Sequence, residues 1–177
     1  MRLASTGALA LVLLACAACG GSGGSDRESK RTELRSYLAA MTREDLRYER
    51  ARTDTLKTLG GIDSAADDSW TAAASALGRS TGEYGKLAAA NDAIEPPDAI
   101  AEEHKGFSES FHVLAGYVAG VRSALRDRNS TKLLRAVQRD DVVNRVGKLR
   151  AGWRDAVTDY AQSLDVTLPR WIARVGR

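Results

Sequence analysis

The chain has 177 residues, 44% hydrophobic and 28% charged, with 3 Pro, 2 Cys and a formal net charge of +3 at pH 7. Both cysteines fall within the first 19 residues, so no disulfide framework staples the rest. Runs alternating β-branched with aromatic residues are missing, which argues against strands, and the basic residues lack the interleaved aromatics of a nucleic-acid platform.

Residues 1–26 read MRLASTGALALVLLACAACGGSGGSD. One basic residue, Arg2, precedes an apolar run that closes in small residues and two cysteines, and a Gly/Ser tract follows. That is the layout of an export signal, not of a folded segment. The run over 8–18 is shorter than the ~20 apolar residues needed to cross a bilayer. The leader resembles that of the bacterial lipoproteins, which ends in an apolar residue, two small or apolar residues and the cysteine that is lipidated. Leu13-Leu14-Ala15-Cys16 has the favoured leucine three places before its cysteine. Cys19 instead runs straight into the Gly/Ser tract, and its modification would leave no free thiol in an oxidising compartment. Cys19 is the expected lipid site, with Cys16 the alternative. The resemblance is confined to the leader. It implies removal of residues 1–18, a thioether-linked diacylglyceryl group, acylation of the new N-terminus and anchoring on the extracytoplasmic face of the cell membrane. Two or more acyl chains hold a protein stably where one is marginal. Residues 19–26 then form a lipidated, flexible tether, and 27–177 one domain of a length that supports its own core.

Four helical segments are expected in that domain. The first covers 27–59, with Leu34, Leu38, Met41, Tyr48, Leu56 and Leu59 on one stripe. Gly60-Gly61 ends it through a left-handed cap. The second starts near Asp63 or Ser64 as N-cap, buries Trp70, Ala74, Leu77, Tyr84, Leu87 and Ile94, and is softened by Gly78, Gly82 and Gly85. Glu95-Pro96-Pro97-Asp98 interrupts the chain. The third gives the cleanest signal. Ile100, His104, Phe107, Phe111, Leu114, Val118, Val121 and Leu125 advance by alternating fours and threes. After a cap at 129–131, the fourth covers 132–164 with Leu134, Val137, Val142, Val146, Leu149, Trp153, Val157, Tyr160 and Leu164 on its stripe. Pro169 stops it, and Leu168, Trp171, Ile172 and Val175 form a short terminal helix over the bundle end. Similar lengths and short connections point to an all-α, antiparallel up-down four-helix bundle.

Charge is uneven. Residues 26–109 hold 12 Lys/Arg against 17 Asp/Glu, a net of −5, while 122–177 hold 13 against 6, a net of +7. Packing of a basic helix beside acidic ones accounts for this. A basic face toward an envelope protein, anionic lipid or wall polymer is the functional alternative.

Chemistry is sparse. Glu109-Ser110-Phe111-His112 has di-iron spacing but occurs once, where such centres need it twice. His104 and His112 stand ~12 Å apart along a helix and cannot share an ion. Cys16-Ala17-Ala18-Cys19 is followed by Gly20, not the histidine of haem attachment. No nucleophile elbow or phosphate-cradling glycine loop occurs. No metal, cofactor or catalytic residue is therefore assigned. Asp45, Arg52, Asp141 and Arg145 fall on or near the stripes and are expected at their edges with the charged heads in water; the alternative is an ionic layer that fixes register, or a polar pocket. His104, on the apolar seam, is expected to be a hydrogen-bonded core histidine, and Trp70 and Trp153 core or end-cap residues; as the alternative, His104, Trp70 and Trp153 are the candidates for a pocket between helices. The expected function is a membrane-anchored binding or scaffolding module of the cell envelope that does not act by catalysis, the alternative being a small-ligand receptor.

Overall fold

The computed structural model describes residues 22–62 and 67–176. Among them the helices are α1 (Ser22–Gly60), α2 (Asp67–Asp92), α3 (Ala101–Arg126), α4 (Ser130–Val137) and α5 (Asp140–Ser163), with single 3-10 turns at Asp98–Ile100 and Ile172–Arg174. The protein is an all-α bundle, and no described residue lies in a strand. No described helix is long and apolar enough to cross a membrane.

Helix α1 starts at Ser22, inside the tract expected to be a flexible tether. Its first turns are held by tertiary contacts. Arg27 donates to the Ser163 carbonyl at 3.1 Å and Asp165 at 2.7 Å, and Arg31 Nε donates to the Leu164 carbonyl at 2.7 Å. Those carbonyls are the orphan acceptors at the end of α5. Two arginines on one helix thus cap another. At the far end of α1 the Gly61 N–H is shared between the Lys57 and Thr58 carbonyls, both at 3.2 Å. The left-handed cap expected there is not used, since among the described glycines only Gly176 has a positive φ.

The N-cap expected at Asp63 or Ser64 lies outside the described residues. Helix α2 packs along α3. Gly78 faces Arg122, while Asp92 faces Ser108 and His112. The seam on α3 is buried at every expected position except Leu114, which is half-buried. Trp153, Phe111, Leu34, Met41, Leu77, Leu87 and Val121 fill the centre, each worth roughly 1.5–3 kcal/mol of burial. The terminal turn covers one end: Trp171 stacks on Trp153 at 5.8 Å and donates its indole N–H to Thr42 at 3.0 Å. Gly176, at φ +76, lies so close to α5 that an added Cβ would sit 2.7 Å from the Ala151 nitrogen.

The expected fourth helix is two. It breaks at Gln138-Arg139, between α4 and α5. Asp140 and Asp141 begin α5, where the helix dipole favours acids. Arg139 closes a two-pronged pair on Asp141, both bonds 2.7 Å. The Tyr117 hydroxyl donates to the Val137 carbonyl at 3.2 Å, satisfying an acceptor that the break exposes. Asn129 caps α4, its side chain accepting from the Lys132 N–H at 2.8 Å. The break shifts the phase of α4, so Leu133 and Ala136 pack inward. Leu134 and Val137, expected in the core, are 57% and 41% exposed. Leu56, also expected inside, is 53% exposed, because α1 presents Ala51 and Thr55 to α2 in that stretch.

Truncating Phe111 to alanine is expected to cost about 3–5 kcal/mol. Leu134→Ser is expected to stay within about 0.5 kcal/mol of the parent. Urea unfolding followed by circular dichroism measures both.

Candidate functional site

Buried polar groups from four helices form one directed chain. Trp153 Nε1 on α5 donates to the Tyr37 hydroxyl on α1 at 2.6 Å. That hydroxyl lies 2.9 Å from His104 Nδ1 on α3, and His104 Nε2 lies 3.0 Å from the Asn91 carbonyl on α2. The carbonyl can only accept, so Nε2 carries the imidazole proton and Nδ1 accepts from Tyr37. Asn91 Nδ2 in turn donates to the Leu87 carbonyl at 2.8 Å. His104 is 5% exposed and Trp153 0%. Burial lowers the His104 pKa from its ordinary 6.5, against smaller opposing contributions from the Asn91 carbonyl and Asp92. Burial raises the Tyr37 pKa far above its ordinary 10.0.

Of the pocket candidates, His104 and Trp153 are joined through Tyr37 in closed core. Trp70 is 6% exposed but sits 21 residues before Asn91 on the same helix, ~32 Å away at 1.5 Å per residue. The three therefore do not line one pocket. Cys16 and Cys19 lie outside the described residues.

Asp45, Arg52, Asp141 and Arg145 sit at the edges of the stripes, as expected, and the alternative of an ionic layer does not form. Arg52 and Arg145 are exposed, paired with Glu49 at 3.8 Å and with Glu109 respectively. Asp141 is an exposed partner of Arg139, and Asp45 is half-buried. The deeply buried charge is one the periodicity passed over, Arg150, at 4% exposure. Its guanidinium lies 3.9 Å from the centre of the Tyr48 ring, 4.8 Å from Phe107 and 5.3 Å from Phe111. Aromatic faces offer a weakly hydrated guanidinium about 2 kcal/mol when desolvated. Burial pushes the Arg150 pKa down, opposed by Tyr48, Asp45 and Glu49. Burial also raises the Asp45 carboxyl. A heptad reading treats arginine as surface, so only the facing aromatic trio reveals this position.

The Glu109-x-x-His112 pair diverges: Glu109 meets Arg145, while His112 lies 3.4 Å from Asp92. The described residues hold no group of three or more His, Cys, Asp or Glu suited to a metal ion. Asp92 also accepts from Ser108, which is buried. Here the carboxylate, not the imidazole, takes the serine proton, the wrong order for a nucleophilic triad. The group reads as a latch between α2 and α3.

Two surface clefts lie elsewhere. One, about 670 Å³, runs between α1 and α2 beside Asp54, Lys57, Arg79 and Glu83. The other, about 460 Å³, lies between α2 and the end of α3 and has Arg122, Arg126 and Arg128 in its wall. No protein family, curated protein or solved structure matches this chain.

Removing the Tyr37 hydroxyl (Tyr37→Phe) strands the Trp153 N–H and His104 Nδ1 together and is expected to cost about 2–5 kcal/mol by chemical denaturation. His104 is neutral in the fold, so the unfolded chain binds its proton more readily. Stability is then full above about 6.5 and falls as pH drops below that value. Thermal melts between pH 7.5 and 5 should show this slope, and His104→Gln should flatten it. Arg150→Met, similar in length and uncharged, should melt at or above the parent temperature.

Proposed function

We propose that the protein is a membrane-anchored, extracytoplasmic lipoprotein whose helical bundle acts as a binding or scaffolding module of the cell envelope, without catalysis. The observation that carries this reading is the leader: Arg2, a short apolar run, and Cys16 and Cys19 ahead of Gly20-Gly21. Helix α1 begins at Ser22, three residues after Cys19. A lipid on that cysteine would hold the bundle end formed by Arg27, Arg31 and Asp165 next to the headgroups, since so short a link leaves little reach.

The interior supports a binding role over a chemical one. The Trp153, Tyr37 and His104 side chains and the Asn91 backbone carbonyl direct their hydrogen bonds at one another, and Arg150 is covered by aromatic rings. These groups hold helices together and leave recognition to the surface. The receptor reading is favoured by a separate observation, the arginine-walled cleft at the end of α3.

Metabolic labelling with a palmitate analogue tests the anchor. The parent chain should label and sediment with membranes, Cys19→Ala should lose the label, and Cys16→Ala should keep it. Label lost only in Cys16→Ala moves the site to the alternative cysteine. An unlabelled parent with an intact Met1 by mass spectrometry overturns the anchor.

A further inference from the structure

The geometry points to the cleft between α2 and the end of α3 as a binding site for a phosphate-bearing ligand, held by Arg122 and Arg126. The inference deepens the reading of the domain as a binding module by naming its site and ligand chemistry.

Arg122 and Arg126 are four residues apart on α3, hence on one face. Arg128 follows in the turn that ends α3, its φ of +49 belonging to a left-handed cap in which the Arg128 and Asn129 N–H groups return to the Leu125 and Ala124 carbonyls. Arg128 lines the same wall while engaged in an interaction of its own, so Arg122 and Arg126 are the arms left for a ligand. Like charges at this spacing repel. The acid next to Arg126, Asp127, is drawn away to Lys132 at 3.0 Å. None of the ion pairs among the described residues includes Arg122 or Arg126. Across residues 122–139 there are six Lys/Arg and one Asp.

The cleft is also built. The Arg122 guanidinium lies flat against α2 at Gly78, where an added Cβ would meet its Cζ and Nε at 3.1 Å. A Cβ at 78 would make it give by a few tenths of an ångström, and a larger, branched side chain by more. Its Nε is excluded from solvent and has no hydrogen-bond partner. A partly desolvated guanidinium with an open fork favours a two-pronged oxyanion such as phosphate. Thr71 and Ser75, one turn apart on α2, bring hydroxyls to the opposite wall, and Ala74 and Leu125 form an apolar floor. The volume, about 460 Å³, is within the range of small-molecule sites and exceeds a lone phosphate, as a diphosphate or phosphodiester requires.

The cleft lies far from the start of α1. Thr58 and Ser69 share the neighbouring cleft at this end, whereas Arg27 meets Asp165 at the other. The stretch of α1 from Arg27 to Thr58 spans ~46 Å at 1.5 Å per residue. A phosphate ligand reaches this site either in solution, free or on a polymer, or on a lipid headgroup.

The test uses the full chain in a neutral maltoside detergent, titrated calorimetrically with inorganic pyrophosphate. It is paired with flotation on vesicles of phosphatidylglycerol in phosphatidylcholine. The expected result is saturable binding that weakens at least tenfold in Arg122→Gln/Arg126→Gln and in Gly78→Val, each checked for parental helicity. Arg145→Gln, a surface arginine elsewhere, should bind as the parent does. Pyrophosphate binding lost in the variants assigns a soluble or polymeric phosphate. Binding only to the anionic vesicles, lost in the same variants, assigns a headgroup. No binding in either assay, retention in both cleft variants, or equal weakening by Arg145→Gln overturns the site. Palmitate labelling is read independently, so a failed anchor and a failed cleft are distinguishable.

Discussion

One hydrogen-bonded chain passes through all four long helices. It runs from the Trp153 indole on α5 to the Tyr37 hydroxyl on α1, then to the His104 ring on α3 and the Asn91 carbonyl on α2. Each link is directional, and each donor and acceptor is buried where water cannot replace a lost partner. Apolar packing would tolerate small rotations and slides of these helices. The chain does not, because a shift of one residue on any helix removes an atom from the sequence of donors. Burial of Phe111, Leu34, Leu77 and Val121 around it supplies the bulk of the driving force. The polar chain selects one register among those the apolar seams would accept.

Arginine does three different jobs in this fold, set by surroundings and not by residue type. On α1, Arg27 and Arg31 cap the open carbonyls of α5 and extend helix into the Gly/Ser tract. On α5, Arg150 is enclosed by Tyr48, Phe107 and Phe111, whose ring faces partly replace water. At the end of α3, Arg122 is pressed onto α2 by the absence of a side chain at Gly78. The planar, weakly hydrated guanidinium suits all three settings.

The α3 seam was legible in the sequence because its eight positions keep a single period and face neighbours on both sides. His104 was legible for the same reason: a polar residue on an apolar seam must find partners. The split of the fourth helix was not. Periodicity runs past Gln138-Arg139, and the break depends on the Arg139–Asp141 pair and on Tyr117, twenty residues earlier in the chain. Arg150 was missed because its burial requires three rings from two other helices. The three pocket candidates failed to meet for a simple reason: an α-helix separates Trp70 from Asn91 by its own length.

By itself the sequence determined the class of fold, the third-helix stripe and the proline break before it. Those are local signals, written in period, composition and backbone restriction within a few turns. Tertiary structure alone decided where α1 begins, where the fourth segment breaks, which charge is buried and which arginines share a cleft. Each of these depends on groups far apart in the chain, and hydrogen bonds and ion pairs across such distances leave no periodic trace.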